Sequence, residues 1–327
     1  MSEEAVQRSL VTPNQFVPSV PLLARIVGVR SMIQARDAVW GYIFLLPWLI
    51  GLIVFFLGPI LLSLALSFTE YDVITPPRFI GVANYATAFF NDRLFWPSIG
   101  RTFEYSALVI PVGLLGGLGL AMLLNRQARG TNIFRASFFV PTLTPAVALT
   151  LLWSWLLQPE IGPINDALKV VGIQGPLWLA SKDWALPSIV LINLWASMGG
   201  NAMLIFLAGL QGVPQELYEA SSLDGAGAWD RFRTITLPMI SPTFFFNLVL
   251  GVIGALKVFT TAFVATQGGP SYATWFFALH IYQQAFAFFK MGYGSALAWI
   301  FVVILLIFTY AQLVLSKRWV YYAGGEE

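Results

Sequence analysis

The chain has 327 residues, of which 57% are hydrophobic and only 10% are charged, and its formal net charge is +2. Soluble domains carry about 25% charged residues, so this deficit places the chain in a lipid bilayer. The small net charge gives no indication of a nucleic-acid partner, and the absence of cysteine excludes disulfides and thiolate metal sites. With His280 as its single histidine, the chain offers little for nucleophilic or metal catalysis, so we predict no catalytic residue and no metal site.

The first 38 residues predict a basic cytoplasmic tail. No apolar segment in it ends in a small-residue cleavage site, so a signal peptide is not indicated. The stretch LLARIVGVRSMIQAR (22–36) places apolar residues at helical intervals between arginines. This pattern suits a short helix lying on the inner leaflet. It equally suits a tail that serves only as a topology signal.

Six apolar segments are long enough to cross a bilayer, since a helix needs about 20 residues to do so. The predicted spans cover residues 40–68, 99–124, 133–157, 185–210, 239–263 and 292–315. They form a predicted all-α, six-helix transmembrane domain over residues 39–316, followed by a cytoplasmic tail over 317–327. No internal repeat is visible, so a carrier built of two inverted halves is not supported.

The distribution of basic residues predicts that both ends of the chain are cytoplasmic. Cytoplasmic segments of membrane proteins carry an excess of Lys and Arg. With the N-terminus inside, the inner segments hold more cations than the outer ones: Arg8, Arg25, Arg30, Arg36, Arg126, Arg129, Arg135, Arg231, Arg233, Lys317 and Arg318. This orientation puts the polar connection between spans four and five in the cytoplasm.

That connection, residues 211–238, predicts two short helices at an angle. Pro214 suits the start of the first helix, and Glu216 lies where the helix dipole favours a negative charge. Asp224-Gly225 ends the helix, since glycine can adopt the left-handed conformation of a C-terminal cap. A second helix then begins near Ala226. Two interpretations of this loop are open. It is either an ordinary solvated connector or a surface whose small residues and exposed aromatics dock into a partner's groove. Its length and composition favour docking.

The same residues resemble the EAA loop of ABC-transporter permease subunits. ELYEASSLDGAGAWDRFRTITLPMISP follows that family's order of Glu-Ala-Ala, Asp-Gly-Ala, a spaced Phe and Ile-Thr-Leu-Pro. Ser221 replaces the second alanine, a conservative departure. On this resemblance we expect the ATPase-coupling residues to be Glu216, Glu219, Ala220, Ser221, Asp224, Gly225, Ala226, Trp229 and Phe232.

Further stretches resemble the carbohydrate-uptake branch of that family, similar to the maltose-transporter membrane subunits. They include IFRASFFVPTLTPAVALTLLWSWLL (133–157), GPINDALKVVGI (162–173) and LKVFTTAFVATQGGP (256–270). The resemblance covers roughly residues 38–320 and implies the type I importer permease (MetI-like) fold in its six-helix form. It implies a multi-pass protein of the bacterial or archaeal cytoplasmic membrane.

The resemblance also implies a mechanism and its partners. The chain would pair with a second, homologous permease and with two ATPase subunits, and an extracytoplasmic solute-binding protein would deliver a sugar or oligosaccharide. The chain has no G-x-x-x-x-G-K-[ST] motif, so we expect no cofactor in it, with ATP and Mg bound by the partner ATPase. The chain itself would be a transport subunit and not an enzyme.

Polar residues at membrane depth predict a substrate path. WASMGGNAM (195–203) combines hydroxyl and amide groups with a glycine break, as a sugar site requires. The predicted path residues are Ser197, Gly200, Asn201, Gly254, Lys257 and Val258. Of these, Gly254 and Val258 are included by their position in the family that the sequence resembles. Ser197 and Asn201 could instead bond between helices. Lys257 could contact substrate, or lie near the outer end of span five and reach the interface.

Other polar and aromatic residues have structural interpretations. Glu104 is expected to pair with Arg101, and His280 to be structural. Trp153 and Trp155 could stack on a sugar or belong to the outer aromatic belt, and their position favours the belt.

Two kinds of alternative function stay open. Within the family, the substrate could be glycerol-3-phosphate or an acidic oligosaccharide. Outside it, the chain could be a stand-alone carrier or channel, although such a carrier usually needs intramembrane ionisable groups, which are scarce here. An intramembrane enzyme would need His, Asp or Glu sets within the spans, and none is visible.

Overall fold

A computed structural model describes residues 32–126 and 129–321. Residues 1–31, which make up most of the predicted basic tail and of the 22–36 segment, lie outside the described residues, as does the end of the C-terminal tail. The chain divides into two compact units, Met1–Leu62 and Ser63–Glu327. Every site described below lies in the second unit.

The described chain is mostly helical. Its α-helices are α1 Met32–Gly51, α2 Gly58–Ser67, α3 Ala83–Ala86, α4 Phe95–Leu124, α5 Thr131–Leu143, α6 Ala146–Leu156, α7 Pro163–Val170, α8 Ala185–Met198, α9 Asn201–Gln211, α10 Gln215–Leu223, α11 Ala228–Arg231, α12 Leu237–Met239, α13 Ser241–Leu256, α14 Thr260–Ala265, α15 Phe277–Tyr282 and α16 Met291–Ser316. Four π-helical turns interrupt the series, at Leu52–Leu57, Thr87–Asn91, Phe232–Thr236 and Gln283–Ala287. Two short strands, β1 Thr69–Glu70 and β2 Arg78–Phe79, pair antiparallel.

Within the described residues, four helical stretches are long and apolar enough to cross a membrane. They are Trp40–Ser67, Phe95–Leu124, Ser241–Ala265 and Met291–Ser316. Two further pairs pass the same test together, α5 with α6 and α8 with α9, although the pairs are bent by 98° and 41°. The spans therefore number six if each bent pair crosses once, which agrees with the segments that the sequence predicts.

The sequence predicts a glycine break in span four but a continuous helix for span three, and both spans are interrupted. Thr144 is extended because it precedes Pro145, and a residue before proline disfavours the α conformation. In span four the helix stops at Met198 and restarts at Asn201, with Gly200 at φ −88° and ψ −135°. Glycine tolerates this break better than residues with a side chain.

The break in span four contacts α5, the helix that precedes the break in span three. A methyl group added at Gly199 would collide with the backbone carbonyl of Phe138, and one added at Gly200 would collide with the Thr142 hydroxyl. The Thr142 hydroxyl donates a hydrogen bond to the Ala196 carbonyl, at 3.0 Å. Glycine is therefore required here because the two segments approach closely. Thr142 provides the hydrogen bond to a carbonyl near the end of α8.

Three clusters of buried apolar residues form the core. The first joins α4, α8, α13 and the segment after it, and includes Tyr105, Ile189 and Phe276. The second, which we call the lower cluster, joins α4, α9 and Ile240, with Tyr218, Phe232, Ile235 and Met239 packed against it. A third surrounds Phe95, Phe277 and Leu297.

We expect Gly199→Ala to destabilise the protein by about 1–3 kcal/mol, because the added methyl group overpacks a contact made by backbone atoms. Thermal unfolding of the purified protein in detergent measures this effect as a lower Tm. Gly119→Ala is the matched control, since Gly119 lies within α4 with no atom close to the position of the new methyl group. Equal Tm values for the two variants would contradict the close contact.

Candidate functional site

The loop between spans four and five folds as the sequence predicts. α10 begins after Pro214, with Glu216 in its first turn, and ends at Leu223. Gly225 has φ +79°, and its N–H donates to the Ser222 carbonyl at 3.2 Å. The N–H of Ala226 donates to the Ser221 carbonyl at 3.0 Å. These bonds form the left-handed C-terminal cap that a residue other than glycine adopts only with strain.

The second helix begins two residues later than predicted. Gly227 is the residue before α11, and its N–H donates to the Asp230 carboxylate at 3.2 Å. The rings of Trp229 and Phe232 stack with centroids 5.5 Å apart. Phe232 packs against the lower cluster, whereas Trp229 is 69% exposed.

This loop carries large apolar side chains on its surface. Leu223 is 91% exposed, Leu217 is 41% exposed, and Ala220 and Glu219 are also exposed. We call Gln215–Leu223 together with Ala228–Arg231 the coupling loop. Exposed apolar side chains outside the spans, with small residues beside them, are typical of a surface that packs against another protein.

A cavity of about 490 Å³ opens between the helices of spans two to five, where spans three and four are interrupted. We call it the polar cavity. Its polar lining comprises the amides and hydroxyls of Thr142, Thr144, Thr150, Asn193, Ser197, Asn201, Asn247 and Thr261, together with Tyr105, and the rest is mostly aliphatic. The described residues that line it include no charged side chain, so the cavity suits a neutral polar molecule.

Several of these polar groups are fixed by hydrogen bonds. The Asn193 amide donates to the Ile189 carbonyl at 2.8 Å and accepts from the Thr261 hydroxyl at 3.2 Å. The Asn247 amide nitrogen donates to the Thr243 carbonyl at 3.2 Å, which leaves its oxygen available as an acceptor. Asn201, the first residue of α9, is exposed to the cavity.

The structure places three of the predicted path residues together in the cavity lining: Ser197, Asn201 and Gly254. Gly200 lies beside them, against Thr142. Val258 is buried in the first core cluster, and Lys257 is exposed at the end of α13; neither lines the cavity. Substrate contact by any of these residues stays a prediction.

Sequence reasoning missed most of the polar lining of the cavity. Thr142, Asn193, Asn247 and Thr261 line it but were not among the predicted path residues. Asn193 and Asn247 carried a usable signal, because an amide within an apolar span needs a polar partner. Thr142 carried none, since its role depends on how the two interrupted spans cross.

The aromatic residues that the sequence singled out lie elsewhere. Trp153 packs edge-on against Trp195 with centroids 5.7 Å apart, and Trp155 is 52% exposed. Arg101 and Glu104 form the expected ion pair.

His280 belongs to a buried polar network at the predicted outer side. Its ring is fully buried, and Nε2 lies 2.8 Å from the Asp92 carboxylate. The Trp275 indole N–H donates to Nδ1 at 3.1 Å, and the Tyr293 hydroxyl donates to Asp92 at 2.6 Å. Because Nδ1 accepts, Nε2 carries the proton, and the ring is the neutral tautomer. The expected structural role of His280 agrees with this arrangement.

The two titratable groups of the network have shifted pKa values. Burial lowers the pKa of His280 below its ordinary value of 6.5, and the Asp92 carboxylate only partly offsets this. Burial raises the pKa of Asp92, but bonds from Tyr293 and the Leu94 N–H, together with His280, outweigh burial and hold that pKa below its ordinary value.

The profile of the family described as "Binding-protein-dependent transport system inner membrane component" matches residues 111–321. The "Probable ABC transporter permease protein YesP" of Bacillus subtilis is 40% identical over 302 residues, which are 91% of this chain and 97% of the relative. The "Trehalose/maltose transport system permease protein MalF" of Thermococcus litoralis is 32% identical over 294 residues, which are 89% and 98% of the two chains.

A solved structure shares the fold. A chain of a bacterial ABC transporter involved in the import of the acidic polysaccharide alginate matches with a TM-score of 0.76 at 24% identity, covering 86% of this chain and 96% of that chain.

The fold is that of a multi-pass helical membrane protein. The chain belongs to the family of binding-protein-dependent transport system inner membrane components. The expected family, the all-α polytopic fold and the membrane localisation are thereby confirmed.

We expect adjacent serines of the coupling loop to respond oppositely to loss of their hydroxyls. The Ser221 hydroxyl is buried with no hydrogen-bond partner among the described residues, so Ser221→Ala removes an unsatisfied group that costs about 1–3 kcal/mol, and leaves Tm unchanged or higher. Ser222→Ala loses bonds to the Tyr218 carbonyl and Arg231, and lowers Tm. A lower Tm for Ser221→Ala than for Ser222→Ala would contradict these assignments.

Acidification should destabilise the protein through His280. The unfolded chain takes up a proton near pH 6.5 while the folded His280 resists it, so stability is present above that pH and is lost as pH falls toward the lower folded pKa. Tm measured in detergent from about pH 7.5 to pH 5 should therefore fall, since His is the side chain that normally titrates there. His280→Gln should show a lower but nearly flat Tm in this window. A wild-type Tm that stays constant or rises on acidification would contradict the network.

Proposed function

We propose that this chain is one of two pore-forming subunits of an ATP-driven importer for a sugar or short oligosaccharide. The observation that carries the proposal is the polar cavity, which is lined by amides and hydroxyls beside apolar walls. Neutral sugars are recognised by such groups, and the relatives with assigned substrates include a trehalose/maltose permease. The predicted six-span topology with both ends in the cytoplasm is part of this proposal.

The chemistry of the cavity favours a neutral substrate over the anionic alternatives. Glycerol-3-phosphate or an acidic oligosaccharide would call for a cation in the cavity, and buried anions are ordinarily paired with Arg or Lys. Lys257, the cation closest in sequence to the lining residue Gly254, is exposed and does not line the cavity. A neutral sugar therefore fits the lining better.

The coupling loop supplies the contact with a motor. In this proposal α10 occupies a cleft on an ATPase subunit. The ATPase subunit binds ATP and Mg and hydrolyses the ATP, and this chain acts as the transport subunit. The exposed Leu223, Trp229 and Ala220 provide the packing surface, and Glu219 provides a charge at its edge. Closure of two ATPase subunits would draw the coupling loops of the two permeases together and expose the cavity to the outside, where a solute-binding protein delivers the sugar.

Charge reversal at Glu219 tests this assignment. We expect Glu219→Lys to reduce the amount of ATPase that co-purifies with the tagged full-length chain by about tenfold, because an unpaired charge would be buried in the contact, and 1.4 kcal/mol corresponds to tenfold. Quantitative immunoblotting of the purified complex measures the ratio of the two proteins.

Asp183→Lys is the matched control, because Asp183 is an exposed carboxylate on the predicted outer side. It should leave the ratio unchanged. The assignment would be wrong if Glu219→Lys retained the full amount of ATPase, or if the control lost as much.

A further inference from the structure

A hydrogen bond joins the coupling loop to the start of span five. The Tyr218 hydroxyl, on α10, lies 2.9 Å from Oγ1 of Thr236. Oγ1 of Thr236 donates to the Arg231 carbonyl at 3.4 Å, so the Tyr218 hydroxyl is the donor in the shorter bond. Two residues 18 positions apart are thereby connected across the angle of the loop.

The bond lies at an apolar contact. Thr236 is 7% exposed, and the half-buried Tyr218 ring packs against the lower cluster beside Ile235 and Met239. Apolar packing alone permits sliding, whereas a hydrogen bond in a low-dielectric environment fixes a donor to a single acceptor. The Tyr218–Thr236 bond therefore sets the position of α10 relative to span five.

Thr236 also occupies an unusual stretch of backbone. It is the last residue of the π-helical turn Phe232–Thr236, in which the Leu237 N–H bonds to the Phe232 carbonyl. Such turns are rare and recur at functional sites. The turn is followed by Pro238 and by Ile240, whose N–H bonds to the Thr236 carbonyl at 3.0 Å. Displacement of Tyr218 would thus act directly on the backbone that enters span five, which contributes Asn247 and Gly254 to the polar cavity.

The hydrogen bond between α10 and α11 is exposed to solvent, unlike the Tyr218–Thr236 bond. The Arg231 guanidinium donates to the Ser222 hydroxyl at 3.1 Å, and this bond is exposed. It stiffens the coupling loop itself but does not reach the spans. Exposed bonds of this kind contribute less than bonds shielded from water.

We propose that Tyr218 and Thr236 are positioning residues that transmit movement of the coupling loop to span five. This inference rests on the proposed function and adds to it the bond through which α10 moves the helix that lines the cavity. Breaking the bond leaves ATP hydrolysis on the partner in place but allows α10 to shift without moving span five.

The natural absence of cysteine allows a direct test. The full complex carrying Ala146→Cys as a reporter is isolated from native membranes and reconstituted in vesicles. Ala146 lines the polar cavity and is exposed, but it is not one of the predicted path residues. Labelling of this chain by a membrane-impermeant maleimide, applied from the outside, is measured with and without ATP and vanadate. The rate of ATP hydrolysis is measured in parallel samples without vanadate, and the readout is the ATP-dependent increase in labelling divided by that rate.

Tyr218→Phe and Thr236→Val should each lower this ratio by about 2- to 10-fold, the effect of one hydrogen bond on an equilibrium. The double variant should lower it no further, because both changes remove the same bond. Tyr310→Phe is the matched control. Tyr310 is 71% exposed on α16, its hydroxyl has no hydrogen bond within the described residues, and the ratio should not change.

Three results would overturn the proposal. One is an unchanged ratio in both single variants. Another is a parallel fall of labelling and hydrolysis, which would indicate a purely structural role. The third is a reporter that does not respond to ATP when Tyr218 and Thr236 are intact. That result would contradict the proposed function, and with it the proposed role of the Tyr218–Thr236 bond.

Discussion

The contact between Thr142 and the Gly199-Gly200 pair is the constraint on which the rest of the structure depends. Inside a bilayer, backbone that leaves the helical path is tolerated only where protein or a water-filled cavity satisfies its polar groups. Here the break in span four lies against α5, and Thr142 donates to the Ala196 carbonyl. The close approach needs residues without a side chain, and the space left beside it is the polar cavity.

The coupling loop differs from the spans in what it leaves exposed. The spans bury their irregular backbone, but the loop leaves Leu223 and Trp229 exposed outside the spans. A helix of nine residues is marginal by itself, and it is stabilised by the Gly225 cap and by Tyr218, which packs against the lower cluster. One side of the loop is thus fixed to the protein, and the other side exposes apolar side chains, as expected of a surface that packs against a partner.

The sequence predicted the parts of the molecule that local rules determine. Hydrophobic length located the spans to within a few residues, and the Pro214 and Gly225 signals predicted the start and end of α10. It predicted Ser197 and Asn201 for the cavity, because polar residues in an apolar span are conspicuous, whereas Gly254 came from the family resemblance. The 98° bend at Thr144 was missed, although Pro145 marked it, because spanning helices often tolerate proline.

Contacts between distant segments could not be predicted. Asp92 and Tyr293 are 201 positions apart, and nothing local to either residue indicates that they share a hydrogen bond with each other and a neighbour in His280. The same holds for Thr142 and Ala196, which meet only because two interrupted spans cross. Such pairs depend on how helices are arranged in three dimensions, and neither periodicity nor composition reports that arrangement.

The central claim is that this chain is a permease with no ATPase site of its own, and that ATP binding and hydrolysis on a partner drive its transport cycle. Uptake by the purified complex, reconstituted in vesicles with its solute-binding protein, tests this most directly. A panel of radiolabelled neutral disaccharides and trisaccharides is offered with ATP supplied to the ATPase side and with all ion gradients abolished. The account predicts that at least one sugar accumulates, and that its accumulation disappears without ATP. Uptake that continues without ATP, or that requires only an ion gradient, would contradict it.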